Sequence, residues 1–600
     1  MKDYHIDKKL QESDLYSEDL APVPQEERTW GLWDMTSIWV GMAVCVPTYM
    51  LASYMIKSGL SWMEALIIIA LGNVIITIPM VLNGHAGVKF GIPFPVIGRA
   101  AFGFRGIHIA SVFRGIVACG WFGIQTWVGG LAFYELWHAL MGTEGSLALT
   151  FGKFIAFALF WFINVFFIWK GTESIKWLEK FAAPILIAMG FGLIAWGASA
   201  GGGISTVLSQ SSQLAQPTAV LQTDAFIAPG QTRAGDMMVT MRVPNGDITG
   251  LLSLFPIVDK VGAPKVSQYQ LGYDSQKDKL DRRGEWMKWN PAEKTMPLTA
   301  FLSEAESQFV LSGAANLTVK FKGIDGIKES SAVVATLKTP PPSYWSRLYT
   351  YLFWLTSMVG FWATMAISIA DITRYTKTQK NQILGQFFGL PGTMALFSFV
   401  GIFVTCAAVI NFPDVLVAND APWDPASLLG KFNNPMVVIV AQILLIIATL
   451  STNIAANVIA PANAFSNLAP KALSFRNAGI LTAIIGIITC PWWTMDYIAG
   501  LLIFVSAFLG PVLAILVADY YLIRNTELDV EALFDEDGIY RYTFGFNFSA
   551  LIAMAVGIAI ALIGYKVEAV SWLYNLSWFT GFAVSFVLYW LLMRGKTQTV

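Results

Sequence analysis

Residues 31–56 read GLWDMTSIWVGMAVCVPTYMLASYMI, an apolar run with a single charged residue, Asp34. About 20 mostly apolar residues are enough to cross the hydrocarbon core of a bilayer as a helix. Pro47 lies inside this run, and a proline within a helix removes one backbone hydrogen bond and clashes with the preceding turn. The run therefore predicts a membrane-spanning helix that is interrupted near its centre.

The whole chain has the composition of a protein with many such helices. Its 600 residues are 55% hydrophobic and 13% charged, whereas soluble globular chains have about 25% charged residues. The net charge of −1 gives no indication of a nucleic-acid partner. We predict an all-α polytopic membrane protein with twelve transmembrane helices. The candidate spans lie near residues 31–56, 62–84, 107–140, 151–169, 178–199, 345–370, 387–411, 434–459, 477–498, 500–523, 548–566 and 571–593.

Basic residues predict the orientation, because cytoplasmic loops carry an excess of Lys and Arg. With the N-terminus inside, the short outer segments hold only Lys57, Lys153, Lys431 and Lys566. Residues 1–29 are polar and lack the apolar region of a signal peptide. We therefore predict that 1–29 form a cytoplasmic tail, that both termini are cytoplasmic, and that the protein is a multi-pass protein of the inner (plasma) membrane.

Residues 200–343 differ from the spans, with 14 basic and 13 acidic residues in 144 positions. A Gly/Ser-rich stretch, SAGGGISTVLSQSSQ, begins the segment, and the Pro-rich LKTPPPSYW ends it. Apolar and polar residues alternate in MVTMRV (238–243) and NLTVKFKG (316–323), the pattern of half-buried strands. We predict an extracytoplasmic β-rich insert, which is either a structural module or a module that captures substrate or binds a partner.

Polar residues within the spans are mostly amides and hydroxyls. In GWFGIQTWVGG (120–130), Trp121 and Gln125 are four residues apart and share one face of a helix. An aromatic face beside an amide suits a flat, neutral, hydrogen-bonding ring, although Trp and Gln also serve in helix packing. No charged residue adjoins this pair in sequence.

The eighth span reads IIATLSTNIAANVIAPANAFSNLAP (446–470). Ala448, Ser451 and Thr452 share a face through i, i+3, i+4 spacing, whereas Asn457 lies about 140° around the helix from Thr452. Two hydroxyls and a carbonyl facing a broken turn of another helix can coordinate a hard cation. Small and hydroxylated residues also let helices pack closely, and spacing alone favours that interpretation.

Interruptions within two of the predicted spans indicate a transporter. Pro47 interrupts the first span, and Gly360 lies within SMVGFWATMA of the sixth. Breaks in corresponding spans of two halves point to a binding site at the membrane midplane. The first and sixth spans correspond if 30–199 and 344–523 are inverted five-helix repeats. Residues 524–600 then hold a cytoplasmic loop, two further helices and the C-terminal tail.

Four long segments in the same order resemble the nucleobase–cation symporter-1 family of hydantoin, allantoin, uracil and cytosine permeases. These segments are NGHAGVKFGIPFPVIGRAAFG (83–103), GWFGIQTWVGG (120–130), STNIAANVIAPANAFSNLAP (451–470) and FLGPVLAILVADYYLIR (508–524). The resemblance implies two inverted five-helix repeats plus two helices, alternating access, and cation-coupled uptake of a small neutral heterocycle.

The resemblance also assigns roles to residues. It implies that Trp121 and Trp362 sandwich the substrate ring, that Gln125 and Asn457 hydrogen-bond its amide edges, and that the backbone at Gly360 lies close to it. It places the coupling cation, Na⁺ with H⁺ as the alternative, between the first and eighth spans. The implied cation ligands are the carbonyls of Ala43, Val46 and Ala448 and the hydroxyls of Ser451 and Thr452.

Two features depart from the family pattern: Pro47, where some hydantoin-type members have a polar contact, and the 200–343 insert. Other classes of function would require different sequence features. A membrane enzyme needs a metal or nucleophile constellation, and neither the four histidines nor the four cysteines have metal-ligand spacing. A sensor that binds ligand through the insert needs an output domain. A proton-coupled transporter of another heterocycle stays open as an alternative.

Overall fold

The computed structural model describes most of the chain, and every structural statement below refers to these residues. They are 4, 6–57, 60–143, 145, 149–170, 172–209, 218–223, 237–242, 266–275, 280–283, 285–288, 295–297, 302–303, 306, 316–323, 326–331, 334–336, 344–411, 425–430, 432, 434–495 and 498–596.

The fold is mostly helical. The principal helices are α1 Leu32–Ala43, α2 Val46–Lys57, α3 Trp62–Phe90, α4 Phe94–Phe102, α5 Ile107–Met141, α6 Phe151–Lys170, α7 Thr172–Ala200, α8 Tyr344–Phe361, α9 Ala363–Ser368, α10 Gln379–Asn411, α11 Pro435–Asn457, α12 Ile459–Ser466, α13 Phe475–Ile488, α14 Ile498–Ala518, α15 Phe548–Lys566 and α16 Ser577–Met593. Shorter helices lie at Lys8–Gln11, Ile204–Ser209, Ala370–Thr373, Pro425–Gly430, Pro491–Thr494 and Ser571–Asn575.

Many of these helices can cross a membrane. Within the described ranges, eight are long and apolar enough to span it, and α1 with α2 makes a ninth as one bent span. Three shorter apolar helices lie at Ile187–Ala200, Phe475–Ile488 and Ser577–Met593. The chain is therefore a multi-pass membrane protein, and the number of twelve spans stays a prediction.

Interruptions divide three of the spans. The first bends by 55° between α1 and α2, so the break lies at Val44 and Cys45. Pro47 is the second residue of α2, where its missing N–H costs no helical hydrogen bond. The sixth is interrupted at Trp362 and the eighth at Val458. Breaks occur in the two spans where they were predicted, but not at Pro47 or Gly360 themselves.

Glycines allow neighbouring helices to approach closely, both at the first span and between α5 and α13. A Cβ added to Gly389 of α10 would lie 2.6 Å from Trp39 Cβ and 3.1 Å from the Thr36 carbonyl. A Cβ on Gly123 of α5 would lie 2.3 Å from the Gly486 carbonyl. Without a hydrophobic driving force inside the bilayer, such small residues let backbones pack together. Gly389 therefore lets α10 pack closely against α1, which precedes the first break, and Gly123 lets α5 pack against α13.

The 200–343 segment contains strands. They are β1 Thr218–Thr223, β2 Met237–Arg242, β3 Val266–Ser275, β4 Leu280–Arg283, β5 Met287–Lys288, β6 Thr295–Pro297, β7 Asn316–Gly323, β8 Gly326–Ser331 and β9 Val334–Thr336. Pairing is antiparallel, in the orders β6-β2-β1-β9 and β4-β3-β7-β8, with β5 on β3. The run NLTVKFKG coincides with β7, and MVTMRV overlaps β2. The side of the membrane on which these strands lie stays a prediction.

The N-terminal segment packs against one end of the helix bundle. The Val23 amide donates to the Gly91 carbonyl (2.9 Å). Buried Arg99 of α4 donates to the Leu15 carbonyl (2.9 Å), and Arg374 donates to the Asp19 carbonyl (3.0 Å). The latter two bonds pair buried guanidinium groups with backbone oxygens of the N-terminal segment. The segment predicted as a polar tail is therefore folded onto the end of the bundle that contains Gly91, Arg99 and Arg374. We name this end the tail-covered end.

Candidate functional site

The break between α1 and α2 leaves carbonyl oxygens without helical partners, and neighbouring hydroxyls bind them. Thr452 of α11 donates to the Gly41 carbonyl at 2.8 Å and lies 3.5 Å from the Val44 carbonyl. Thr48 donates to the Ala43 carbonyl at 3.1 Å. Oxygen atoms from two spans thus converge at the break, where the sequence predicted a cation site.

All five predicted cation-site residues are buried: Ala43, Val46, Ala448, Ser451 and Thr452 are at most 3% exposed. The structure gives a direct contact between the two spans for Thr452. Carbonyl and hydroxyl oxygens are the ligands that hard cations prefer, so the chemistry of this set fits a hard cation. All of these oxygen atoms belong to uncharged groups.

An aromatic cluster lies at the break in the sixth span. The Phe361 ring is edge-on to Trp121 and to Trp362, with centroid distances of 5.1 Å in both cases. Trp362 also meets Trp39 of α1 edge-on at 5.4 Å. The two predicted clamp residues, Trp121 and Trp362, are therefore joined through Phe361. Sequence reasoning missed Phe361, although its place between Gly360 and Trp362 was a usable signal.

The Gln125 side chain lies near the break in the first span. It lies one turn after Trp121, is 3% exposed, and neighbours the Cys45 thiol at the break in the first span. Within the described part of the chain, its Oε1 has no hydrogen-bond partner, and neither does Trp362 Nε1. A buried acceptor and a buried donor without partners are costly unless something binds them.

Asn457 ends α11 beside the Val458 break and belongs to a buried amide network. Its Nδ2 donates to Asn453 Oδ1 at 3.0 Å. Asn453 Nδ2 in turn donates to Thr126 Oγ1 and to Asn164 Oδ1, both at 3.0 Å. The network fixes the end of α11 against α5 and α6. Sequence reasoning missed Asn453 and Asn164, because their partners are distant in the chain.

Gly360 packs against α14. A Cβ at this position would lie 2.1 Å from Ser506 Oγ and 3.0 Å from the Leu502 carbonyl. The close approach of two helices is thus sufficient reason for a glycine. The predicted proximity of the Gly360 backbone to substrate stays a prediction.

A cavity of about 1220 Å³ opens beneath these residues, between the N-terminal segment and the tail-covered end. Its wall includes Ile38 of α1, Ile459 of α12 and Asp371, which follows the sixth span. Acidic residues of the N-terminal segment, Glu18 and Glu27 among them, also line it. The cavity therefore borders all three interrupted spans: the part before the break in the first span, and the parts after the breaks in the sixth and eighth spans.

The family model described as a permease for cytosine/purines, uracil, thiamine and allantoin matches residues 22–261 and 335–586. The chain belongs to this nucleobase–cation symporter-1 family. It is a permease rather than an enzyme. The match extends further than the sequence motifs indicated, since it includes residues 22–29 and continues to residue 261 inside the insert.

Relatives match the permease along nearly its full length. The allantoin permease of Bacillus subtilis (strain 168) is 30% identical, over 97% of this chain and 94% of its own. The purine-uracil permease NCS1 of Arabidopsis thaliana is 30% identical, over 100% of this chain and 81% of its own. The solved structure of Mhp1, a nucleobase-cation-symport-1 family transporter, in a closed conformation with bromovinylhydantoin bound, has a TM-score of 0.63 at 21% identity, covering 97% and 95%.

Substituting Gly360→Ala should destabilise the permease by about 1–3 kcal/mol, the usual cost of overpacking, because the new Cβ would clash with Ser506 Oγ. Adding Ser506→Ala removes that oxygen and should restore most of the loss. Thermal unfolding of the purified protein in detergent measures both effects. Gly120→Ala, whose Cβ would meet nothing within 4 Å, is the control. Failure of Ser506→Ala to rescue would contradict the packing explanation.

Proposed function

We propose that the permease is a secondary active transporter that imports a neutral nucleobase, hydantoin or ureide ring by cation symport with alternating access. The observation that carries the proposal is the bond from Thr452 to the carbonyls of the broken first span, beside the Trp121–Phe361–Trp362 cluster. The named relatives, allantoin and purine-uracil permeases, support the substrate class.

Two unsatisfied atoms match the edge of such a ring. Gln125 Oε1 is a buried acceptor, and Trp362 Nε1 is a buried donor. An imide or ureide presents N–H and C=O groups side by side, so one ring edge can satisfy both. Trp121 and Trp362 would provide the aromatic faces, Asn457 a second amide, and Gly360 backbone contact. The absence of charge in this set favours a neutral substrate.

Phe361 would set the size of the ring. It is 6% exposed and contacts both Trp121 and Trp362, so it takes up volume between the two clamp residues. A small pocket accepts a compact ring and rejects bulky substituents. We therefore expect a preference for unsubstituted or small ureide and pyrimidine rings.

The coupling cation would be Na⁺, held by the carbonyls of Ala43, Val46 and Ala448 and the hydroxyls of Ser451 and Thr452. On binding, Thr452 would turn its hydroxyl hydrogen away from the Gly41 carbonyl and offer its oxygen lone pair. The ion would thereby join the first span to the eighth. Higher affinity in one conformation than in the other would then shift the population. H⁺ is the alternative coupling ion.

The remaining architecture follows the sequence predictions. Twelve spans would include the three shorter apolar helices, with 30–199 and 344–523 as inverted repeats and two helices in 524–600. The tail 1–29 and both termini would lie in the cytoplasm, the 200–343 insert outside, and the protein in the plasma membrane. The cavity at the tail-covered end would be the route to the cytoplasm. A sensor that binds ligand through the insert is the second candidate function.

Reconstituted permease should take up at least one of labelled uracil, cytosine, allantoin and hydantoin, faster with an inward Na⁺ gradient than without one. Gln125→Ala should weaken affinity by roughly tenfold, in line with the loss of a buried hydrogen bond. Tryptophan fluorescence of purified protein measures binding, and protein-free liposomes are the control for uptake. Lack of uptake of every ring, together with no ligand-dependent stabilisation, would contradict the transporter and leave the sensor.

The double variant Ser451→Ala, Thr452→Ala should raise the Na⁺ concentration for half-maximal uptake by about tenfold, equivalent to about 1.4 kcal/mol of binding free energy. Two of five oxygen ligands are lost, while the ring contacts are unchanged. Thr482→Ala is the matched control, since this buried hydroxyl donates to the Ala478 carbonyl of its own helix and is not one of the proposed cation ligands. Unchanged Na⁺ dependence in the double variant would argue against this cation site.

Phe361→Ala should shift the preference between allantoin and bromovinylhydantoin toward the bulkier ring by about tenfold or more, because pocket shape discriminates by about 1–3 kcal/mol per small group. Competition of each compound with a labelled ring measures the ratio. Phe508→Ala is the control, because that ring packs against Phe113 and Phe504 instead. An unchanged ratio would remove Phe361 from the substrate pocket.

A further inference from the structure

Three helical segments each carry two buried polar side chains, three residues apart in sequence. The pairs are Ser111 and Arg114 of α5, Ser368 at the end of the sixth span with Asp371 just beyond it, and Asn463 and Ser466 of α12. We call this set the three-pair site. All six side chains are at most 1% exposed. None of them belongs to the substrate or cation site described above.

Contacts join at least one member of each pair to another pair. Arg114 Nε donates to Ser368 Oγ at 3.0 Å. Asn463 neighbours the Asp371 carboxyl, and Arg114 is close enough to act on it electrostatically. A Cβ on Gly115, next to Arg114, would lie 2.9 Å from the Phe465 ring of α12. Residues from α5, the sixth span and α12 therefore share one interior site.

The polar atoms of this site are poorly satisfied. Within the described residues, the atoms without a hydrogen-bond partner are Ser111 Oγ, Arg114 Nη1, Asp371 Oδ2, Asn463 Nδ2 and Oδ1, and Ser466 Oγ. Asp371 Oδ1 accepts one bond, from the Phe94 amide at 2.9 Å. Polar groups buried to this extent require a partner. Ionisable groups inside membrane proteins usually mark a functional path.

Asp371 connects the three-pair site with the cavity. It lies three residues beyond Ser368, where the apolar span ends, and forms part of the cavity wall. The charged groups that act on it are Arg374 of its own helix and Arg114 of α5. Arg374 is itself held by the Asp19 carbonyl of the N-terminal segment. A proton from the tail-covered end therefore has a short route to a buried carboxylate.

We propose that the three-pair site binds a proton on Asp371, taken from and returned to the cavity at the tail-covered end. With the proton absent, Asp371 and Arg114 carry opposite charges and compensate each other across the site. With the proton bound, the carboxyl becomes neutral and Arg114 loses its counter-charge. The two states thus differ in net charge at the joint between α5, α12 and the sixth span, which the permease must rearrange to open and close.

The electrostatics allow titration near neutral pH. Burial raises the pKa of the Asp371 carboxyl from its ordinary 3.8 to about 7, against the lowering effect of Arg374 and Arg114. Between pH 3.8 and about pH 7, the native state therefore binds more protons than the unfolded state. This group's contribution to stability is greatest below about pH 4 and is lost as the pH rises through about 7.

The proposal rests on the proposed transport function, and two readouts separate them. Uptake is measured in proteoliposomes with equal pH on both sides and a fixed Na⁺ gradient. If turnover requires release of the proton, uptake at pH 6 should be about tenfold slower than at pH 8, following the ionised fraction of one group. Asp371→Asn, which is permanently neutral, should be slow at both values. Asp34→Asn, which changes another carboxylate of the cavity wall, should keep the wild-type profile.

Thermal unfolding gives a readout that needs no transport. The unfolding temperature of the wild type should fall between about pH 4 and about pH 7 more steeply than that of Asp371→Asn. Arg114→Gln should shift the midpoint of the uptake profile to higher pH, because it removes a positive charge. The proton site would be overturned if the unfolding temperature fell equally steeply with pH in the wild type and in Asp371→Asn. It would also be overturned if wild-type uptake were the same at every pH from 6 to 8. Absence of uptake at every pH would overturn the transport function, and the slopes would still decide on the site.

Discussion

The structure depends on how the permease satisfies the backbone at an interrupted membrane helix. In the bilayer core no water is present to bind free carbonyl groups, so each one needs a partner within the protein. At the bend between α1 and α2, hydroxyls of Thr452 and Thr48 bind the carbonyls of Gly41 and Ala43. One of these hydroxyls belongs to a different span. The break therefore couples the position of α11 to the conformation of the first span.

The same requirement explains where polar residues gather. Aromatic rings lie at the break at Trp362, and the amide of Asn457 lies beside the break at Val458. The side chains of Asn457, Asn453 and Asn164 form a chain of hydrogen bonds. This chain fixes the end of α11 where the helical backbone hydrogen bonds are interrupted. Gln125 and Trp362 are exceptions, since each retains an unsatisfied atom. Those two atoms are the ones that the proposed substrate ring would bind.

Sequence reasoning succeeded where a local rule decides. Helical spacing alone put Trp121 and Gln125 on one face, and alternation alone found the strand β7. It failed where contacts join distant segments. The break was assigned to Pro47, but Pro47 is harmless in the first turn of α2, and the chain bends before it. Asn453 was missed because its partner Asn164 is distant in the chain and no local pattern marks the contact. Phe361 was missed although it lies between Gly360 and Trp362, because its contact with Trp121 joins distant segments.

The two ion sites inferred for the permease differ in chemistry, and the difference is informative. The proposed ligands between α1 and α11 are all neutral, and the negative charge nearby is the carbonyl end of the α1 dipole, equivalent to about half an elementary charge. Such a site suits a monovalent ion and cannot compensate a divalent one. The three-pair site instead contains a carboxylate balanced by Arg114 and Arg374. A proton neutralises that carboxylate without needing the coordination shell that Na⁺ requires, so the two proposed sites would select different ions.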